Sequence, residues 1–168
     1  WLPAATPAHG AALATALLGA AAVALLYAAA RYWRAGRFGS WFGALAFGVS
    51  THVWLFHTQP EVFALNHLVA AAILLFAAPE APAEGRTRIA ILGLIADLGI
   101  ANHQTIVLTA PIGPYGVYRG LRETKGTLIP LAIGLAGLAV GLSPYLWLVY
   151  VSRSGSGWHW GEASSLQG

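Results

Sequence analysis

Four long stretches without internal charge constrain this chain more than any other feature. Residues 11–30, 38–57 and 127–150 carry no charged side chain, and 61–78 carries one, Glu61, at its first position. A bilayer hydrocarbon core of about 30 Å takes about 20 helical residues to cross, and each stretch is close to that length. The pattern predicts four spanning helices, with Pro130 tolerated in a first turn and Pro144 kinking the last one. Composition agrees. A soluble domain has about 25% charged residues, whereas 9% of these 168 residues are charged and 57% are hydrophobic. A soluble globule and a disordered segment are both excluded. With no Cys, disulfide frameworks and thiol chemistry drop out as well. The chain has no Met and opens on Trp1, so it reads as a piece of a longer protein, and none of its apolar stretches fits a cleaved signal peptide.

The stretch 89–118 is less regular. It holds Asp97, Asn102, His103, Pro111, Gly113 and Pro114, which favours two short segments, 89–101 and 104–118, hinged at Asn102-His103. At about 1.5 Å per residue each falls short of a full span, and short helices are tolerated inside a bundle or along a cavity. Charge placement favours this hinge. The cations are Arg31, Arg34, Arg37, Arg86, Arg88, Arg119, Arg122, Lys125 and Arg153. With six crossings, the first eight fall in loops on one side, as the positive-inside rule asks. The fold class is therefore all-α: a polytopic membrane bundle over 1–151 with segments near 11–30, 38–57, 61–78, 89–101, 104–118 and 127–150. Residues 152–168 form an external loop. The bias to Ala, Gly and Arg suggests a bacterial source, hence the inner membrane, with both termini external.

This topology collects polar and aromatic residues on the outer side: His9, His57, Gln59, Glu61, Asn102, His103 and Gln104, then Trp158, His159, Trp160 and Glu162. Four separate loops converge there, which points to a site at the outer interface. Each feature also has a plain structural role. Trp158 and Trp160 suit an interfacial aromatic belt, Glu61 suits the start of a helix as a dipole partner, and a solvated loop explains His9. Within the membrane, His52 reads as a core hydrogen bonder, and Asp97 needs an interior partner, for which His67 is a candidate. Gly134, Gly137 and Gly141 suit close helix packing. No spacing resembles a histidine metal site, and no phosphate loop occurs. Nothing suggests nucleic acid; the inner cations suit anionic lipid headgroups.

Several strings carry a family resemblance. Gln59-Pro60-Glu61-Val62-Phe63-Ala64-Leu65-Asn66 resembles a motif of the form qA-x-x-aEVYaLn. Gly93 to Thr105 (GLIADLGIANHQT) resembles GL-x-x-GL-x-x-xNHxT, and Gly141 to Leu146 (GLSPYL) resembles GLSPYLYLP. Trp158-His159-Trp160-Gly161-Glu162 resembles the NWGdP that follows. In this order they mark a bacterial domain-of-unknown-function family of polytopic membrane proteins. It is related to an animal endoplasmic-reticulum protein O-mannosyltransferase and belongs to the GT-C superfamily. Phe63, Asp97 and His159 depart from the family pattern.

The resemblance implies an enzyme that moves a sugar, with mannose as one candidate, from a polyprenyl-phosphate donor to a protein or cell-surface acceptor on the outer face. An external carboxylate would act as general base, and positive or hydrogen-bonding groups would receive the leaving phosphate. That acid is expected upstream of Trp1, in a loop after a first helix that this stretch lacks, so the catalytic residue is not among these residues. Glu61, Asn102, His103, Gln104, Arg153, Trp160 and Gly161 are the expected substrate-binding residues. No cofactor or metal is expected. The partners are membrane lipid, the lipid-linked sugar and a protein or glycan acceptor. The alternatives are a transporter or flippase of a lipid-linked or small polar substrate, for which Asp97, His67 and the broken helices would mark a path, and a non-catalytic assembly subunit.

Overall fold

A computed structural model describes residues 6–124 and 128–154. Among them every regular element is helical: α1 (Pro7–Tyr32), α2 (Arg37–Val49), α3 (Thr51–His57), α4 (Phe63–Ala77) and α5 (Gly85–Asn102). A 3-10 helix (Gln104–Thr109), α6 (Ile112–Arg122), α7 (Leu128–Gly141) and α8 (Ser143–Arg153) follow. α1 starts where Thr6 Oγ1 accepts from His9 N at 3.2 Å, with Pro7 in the first turn, where a missing N–H costs nothing.

The count of long apolar helices corrects the six-segment expectation. Among the described residues two helical stretches are long and apolar enough to cross a membrane, Pro7–Tyr32 and Leu128–Arg153 (α7 followed directly by α8), and Phe63–Ala77 is a shorter apolar helix. The uncharged run 38–57 is broken at Ser50, which is extended (φ −63, ψ 139). Ser50 Oγ donates to Phe47 O at 2.9 Å, so the side chain competes with the helix for that carbonyl. The run 127–150 is interrupted at Leu142, just before Pro144. α5 ends at Asn102 and His103 is extended (φ −160, ψ 133), as the hinge predicts. The segment beyond it is not one helix, however: the 3-10 turn comes first, and α6 starts only at Ile112.

Two close pairings organise the bundle, α1 on α4 and α5 on α7. Both run on small residues. Gly19, Ala22 and Ala29 are the buried positions of α1, and Ala64, Ala71 and Ala77 are among those of α4. In the second pair the glycines sit as the sequence suggests. A Cβ on Gly93 would strike the Gly134 carbonyl, one on Gly137 would lie 2.9 Å from Ala90 O, and one on Gly141 would lie 2.7 Å from Asp97 Cβ. Backbones approach this closely only where side chains are missing. Between the pairs, Ile73, Leu92 and Ile106 form the buried core, flanked by Val69, Phe76 and Val117.

The cationic loops meet at one end. Arg34 Nε pairs with Glu80 Oε1 at 2.8 Å, and Arg119 Nη2 donates to Pro79 O at 3.0 Å. Arg88, 1% exposed, donates to Ala83 O and Ala78 O and pairs with Glu123 Oε1 at 3.3 Å. Glu123 Oε2 also accepts from Gly85 N at 2.8 Å, where φ +50 needs glycine. The loops at 33–36, 78–84 and 123–124 are thus tied into one basic end.

Candidate functional site

The opposite end of α4 and α5 gathers the other polar groups. α5 runs away from the basic end and stops at Asn102, whose Nδ2 donates to Val62 O at 3.2 Å, just before α4 begins. One turn into α4, Asn66 Nδ2 donates to Thr105 Oγ1 at 3.0 Å. Thr105 Oγ1 lies 2.8 Å from His103 Nδ1, and Thr105 N donates to the same nitrogen at 3.3 Å. A ring nitrogen that accepts a backbone N–H carries no proton, so the neutral ring holds its proton on Nε2. The geometry therefore assigns one sequence of bonds: Asn66 amide to Thr105 hydroxyl, Thr105 hydroxyl to His103 Nδ1. It ends in an Nε2–H that can donate to an oxygen. The Phe63 ring lies 5.3 Å from the imidazole and Phe56 lies 4.7 Å from Phe63, so an apolar wall borders the cluster. Asn66 is 7% exposed, and its Oδ1 has no hydrogen-bond partner among the described residues. A buried amide oxygen left unpaired costs about 1–3 kcal/mol.

A second polar pair sits beside it. His57 Nε2 and His67 Nδ1 are 2.8 Å apart, and the Phe47 ring meets both imidazoles edge-on. The break at Ser50 lets α2 supply Phe47 while α3 supplies His57. Gly19 of α1 makes room: a Cβ there would strike the His57 ring. This corrects the pairing expected from sequence, since His67 binds His57 and not Asp97. Asp97, 3% exposed, packs against Gly141 of α7, and its Oδ2 is unpaired among the described residues. His52 is exposed on α3 and does not serve the core.

Of the expected binding residues, Asn102 and His103 fall in the cluster. Gln104 is adjacent and exposed, at the first position of the 3-10 helix. Glu61 is exposed in the loop before α4; its backbone N donates to Gln59 O at 2.8 Å, but α4 has no side-chain cap. Glu61 is therefore not a hydrogen-bonding cap, because the helix starts two residues beyond it. α8 touches this end through Tyr145, whose hydroxyl donates to Ile100 O at 3.3 Å. Arg153 is the exposed last residue of α8, more than two turns beyond Tyr145, and is not brought to the cluster. Trp160 and Gly161, with the rest of 158–162, lie outside the described residues. Asn66 and Thr105 are additions to the expected set. Their signal was present: they are the last residues of the first two resemblance strings, and they bond to each other.

A helical bundle with apolar helices of membrane length and an Asn-Thr-His cluster at one end defines a class of helical proteins with a polar site beside an apolar wall. The comparisons narrow it. The family described as Protein O-mannosyl-transferase TMEM260 N-terminal domain matches residues 1–127, and the chain belongs to that family. It is 31% identical over 160 residues to "Protein O-mannosyl-transferase TMEM260" of Mus musculus, covering 90% of this chain and 22% of that relative. The chain thus spans about a fifth of the length of the curated relative it matches. No solved structure matches.

Proposed function

We propose that this chain is the part of a membrane-embedded GT-C-type glycosyltransferase that shapes the sugar-transfer site, with a polyprenyl-phosphate sugar as donor and a protein or cell-surface acceptor. The carrying observation is the Asn66–Thr105–His103 hydrogen-bond sequence, which joins two motif strings 39 residues apart at the end opposite the basic loops. Family membership supports the reaction class at the level of a protein O-mannosyl-transferase relative. Membrane embedding is supported by the exposed apolar side chains: Phe38 is 78% exposed, Leu128 82% and Trp147 63%. Water would leave that surface unfavourable by about 25 cal/mol per Å², and lipid would cover it. The basic end then faces the cytoplasm, and the Asn-His end faces outward.

In the transfer, the acceptor oxygen bonds to the anomeric carbon as the bond from that carbon to the phosphate oxygen breaks. The acceptor proton passes to a base outside these residues, and polyprenyl phosphate leaves. His103 Nε2–H donates to an oxygen of the donor phosphate, where charge develops, and Thr105 and Asn66 fix the ring that does so. Asn102 holds the α4 and α5 ends together, while Glu61 and Gln104 border the opening.

The test is His103→Ala in the full-length protein, assayed with lipid-linked mannose. Loss of a preorganised donor predicts roughly a 100-fold fall in turnover at an unchanged yield of folded protein. Equal losses in turnover and folded yield would reduce His103 to a structural role.

A further inference from the structure

We propose that the groove along α6 holds one anionic phospholipid, with its phosphate at the basic end and an acyl chain between α5, α6 and α7. This inference rests on the membrane reading above, and it concerns the end away from the proposed transfer site.

Two independent features of the groove meet at Tyr118. Its long part is apolar, lined by Leu92 and Ala96 of α5, Pro114, Val117 and Leu121 of α6, and Leu138 of α7. Gly113, at its inner end, faces open space: a Cβ there would meet nothing within 4 Å. From Leu121 to Gly113 the groove follows about 12 Å of helix. Tyr118 also lines a second, polar hollow with Arg119, Arg122 and Glu123, and this hollow is the proposed mouth. Glu123 is the one acid of that lining, and it is already engaged by Arg88 and by Gly85 N. Arg119 is held by Pro79 O and pairs with Glu123 Oε1 at 3.8 Å, which leaves Arg122 as the exposed cation of the lining. Arg122 is exposed, and its guanidinium donates to Tyr118 Oη at 3.4 Å, a long bond that a phosphate oxygen can displace.

Charge complementarity selects the occupant. A zwitterionic lipid would bring its own cation to a mouth that already holds two guanidiniums, whereas a lipid with net negative charge would not. The cytoplasmic leaflet supplies such lipids, and basic pockets between helices on that side suit their headgroups. An apolar groove that opens beside cations matches a phosphate ester attached to an acyl chain. A soluble phosphate would leave the groove empty, and a fatty tail without charge would leave Arg122 unused.

The experiment uses the full-length protein purified in detergent, with bound lipid counted by native mass spectrometry. Phosphatidylglycerol and phosphatidylcholine of identical acyl chains are titrated separately, and inorganic phosphate is added as a competitor. The expected result is at least a tenfold preference for phosphatidylglycerol, unaffected by millimolar phosphate. Arg122→Gln is expected to abolish the preference. Gly113→Phe is expected to reduce binding of both lipids by filling the groove, and Arg37→Gln, at the start of α2 and outside the groove lining, to change nothing. An unchanged preference in Arg122→Gln, or undiminished binding in Gly113→Phe, overturns the proposal. So does competition by inorganic phosphate, which would mean an anion site without a lipid. Polyprenyl phosphate bound normally by Arg122→Gln but lost in Gly113→Phe also overturns it, because the groove would then hold a tail entering from the opposite end. Detergent-free extraction of the wild type is scored separately and bears on the membrane reading alone.

Discussion

The two ends of this bundle handle buried polarity in opposite ways. At the basic end, buried Arg88 meets two carbonyls and a carboxylate, and that carboxylate is also held by Gly85 N. At the other end, among the described residues, Asn66 Oδ1 accepts nothing, and His103 receives two bonds on Nδ1, with no bond shown to Nε2. A saturated network fixes loops; one with an unused acceptor and an unused donor is shaped for something that arrives. The lesson is that the density of charge misleads. Most of the cations lie at one end, where Arg34, Arg88 and Arg119 fasten loops, while uncharged amides and a hydroxyl, with imidazoles, gather at the other end around an unpaired buried oxygen.

The largest expected effect breaks the basic end. Arg88→Met strands the Ala78 and Ala83 carbonyls in a buried place and takes one partner from the quarter-exposed Glu123, which keeps Gly85 N and Arg119; each stranded carbonyl costs about 1–3 kcal/mol. Thermal unfolding in detergent, or the yield of monodisperse protein, should fall steeply. A wild-type melting profile would show that the network does not fasten the loops.

Glu61→Gln acts on the polar end. The side chain is exposed and caps no helix, so folding should be indifferent, with a change under about 0.5 kcal/mol. If Glu61 borders the transfer site, turnover should fall on the order of 10–100-fold through misplacement of substrate. Steady-state kinetics with lipid-linked mannose decides this: unaltered kcat and KM would remove Glu61 from the site.

Asn66→Leu sharpens the contrast. It deletes a bond to Thr105 but also deletes an unpaired buried oxygen, and the two changes oppose each other. Stability should shift by about 1 kcal/mol or less, far less than for Arg88→Met, while turnover drops because Thr105 no longer fixes His103. A destabilisation as large as that of Arg88→Met would mean that the two ends are fastened alike.

The smallest effect belongs to Arg34→Gln. Its pair with Glu80 is short, but the side chains are 72% and 54% exposed, and such pairs contribute about 0–1 kcal/mol. Melting in high salt should bring wild type and variant together. A larger gap that survives salt would mean that this bridge shares the strength of the buried Arg88 pair.

Parts of this architecture were legible in the residues. The hinge could be read because Asn102-His103 interrupts an apolar run with groups that bond locally, and the helix does end there. The gathering of the basic loops followed from where the cations fall between apolar runs. The glycines of α7 could be read as a packing face, although their partner could not. The break inside 38–57 was not legible, because hydropathy averages over Ser50 and does not register its bond to Phe47. Glu61 was expected at the start of a helix as a dipole partner; it lies two residues before α4 begins at Phe63, and no side chain caps that helix.

The sequence by itself determined the apolar composition, the helical class, the bipolar placement of charge and the position of the hinge. Each of these depends on neighbours within a few turns or on summed transfer energy. The tertiary structure alone decided who bonds to whom: His67 with His57 and not Asp97, Asn66 with Thr105 39 residues away, Arg88 with Glu123 at the far end of α6. Such pairs depend on which helix faces meet and at what height. That is settled by small-residue contacts such as Gly93 on Gly134, where the absence of a side chain lets two backbones approach, and Gly19, where it admits the His57 ring; such contacts set the register of everything the helices carry.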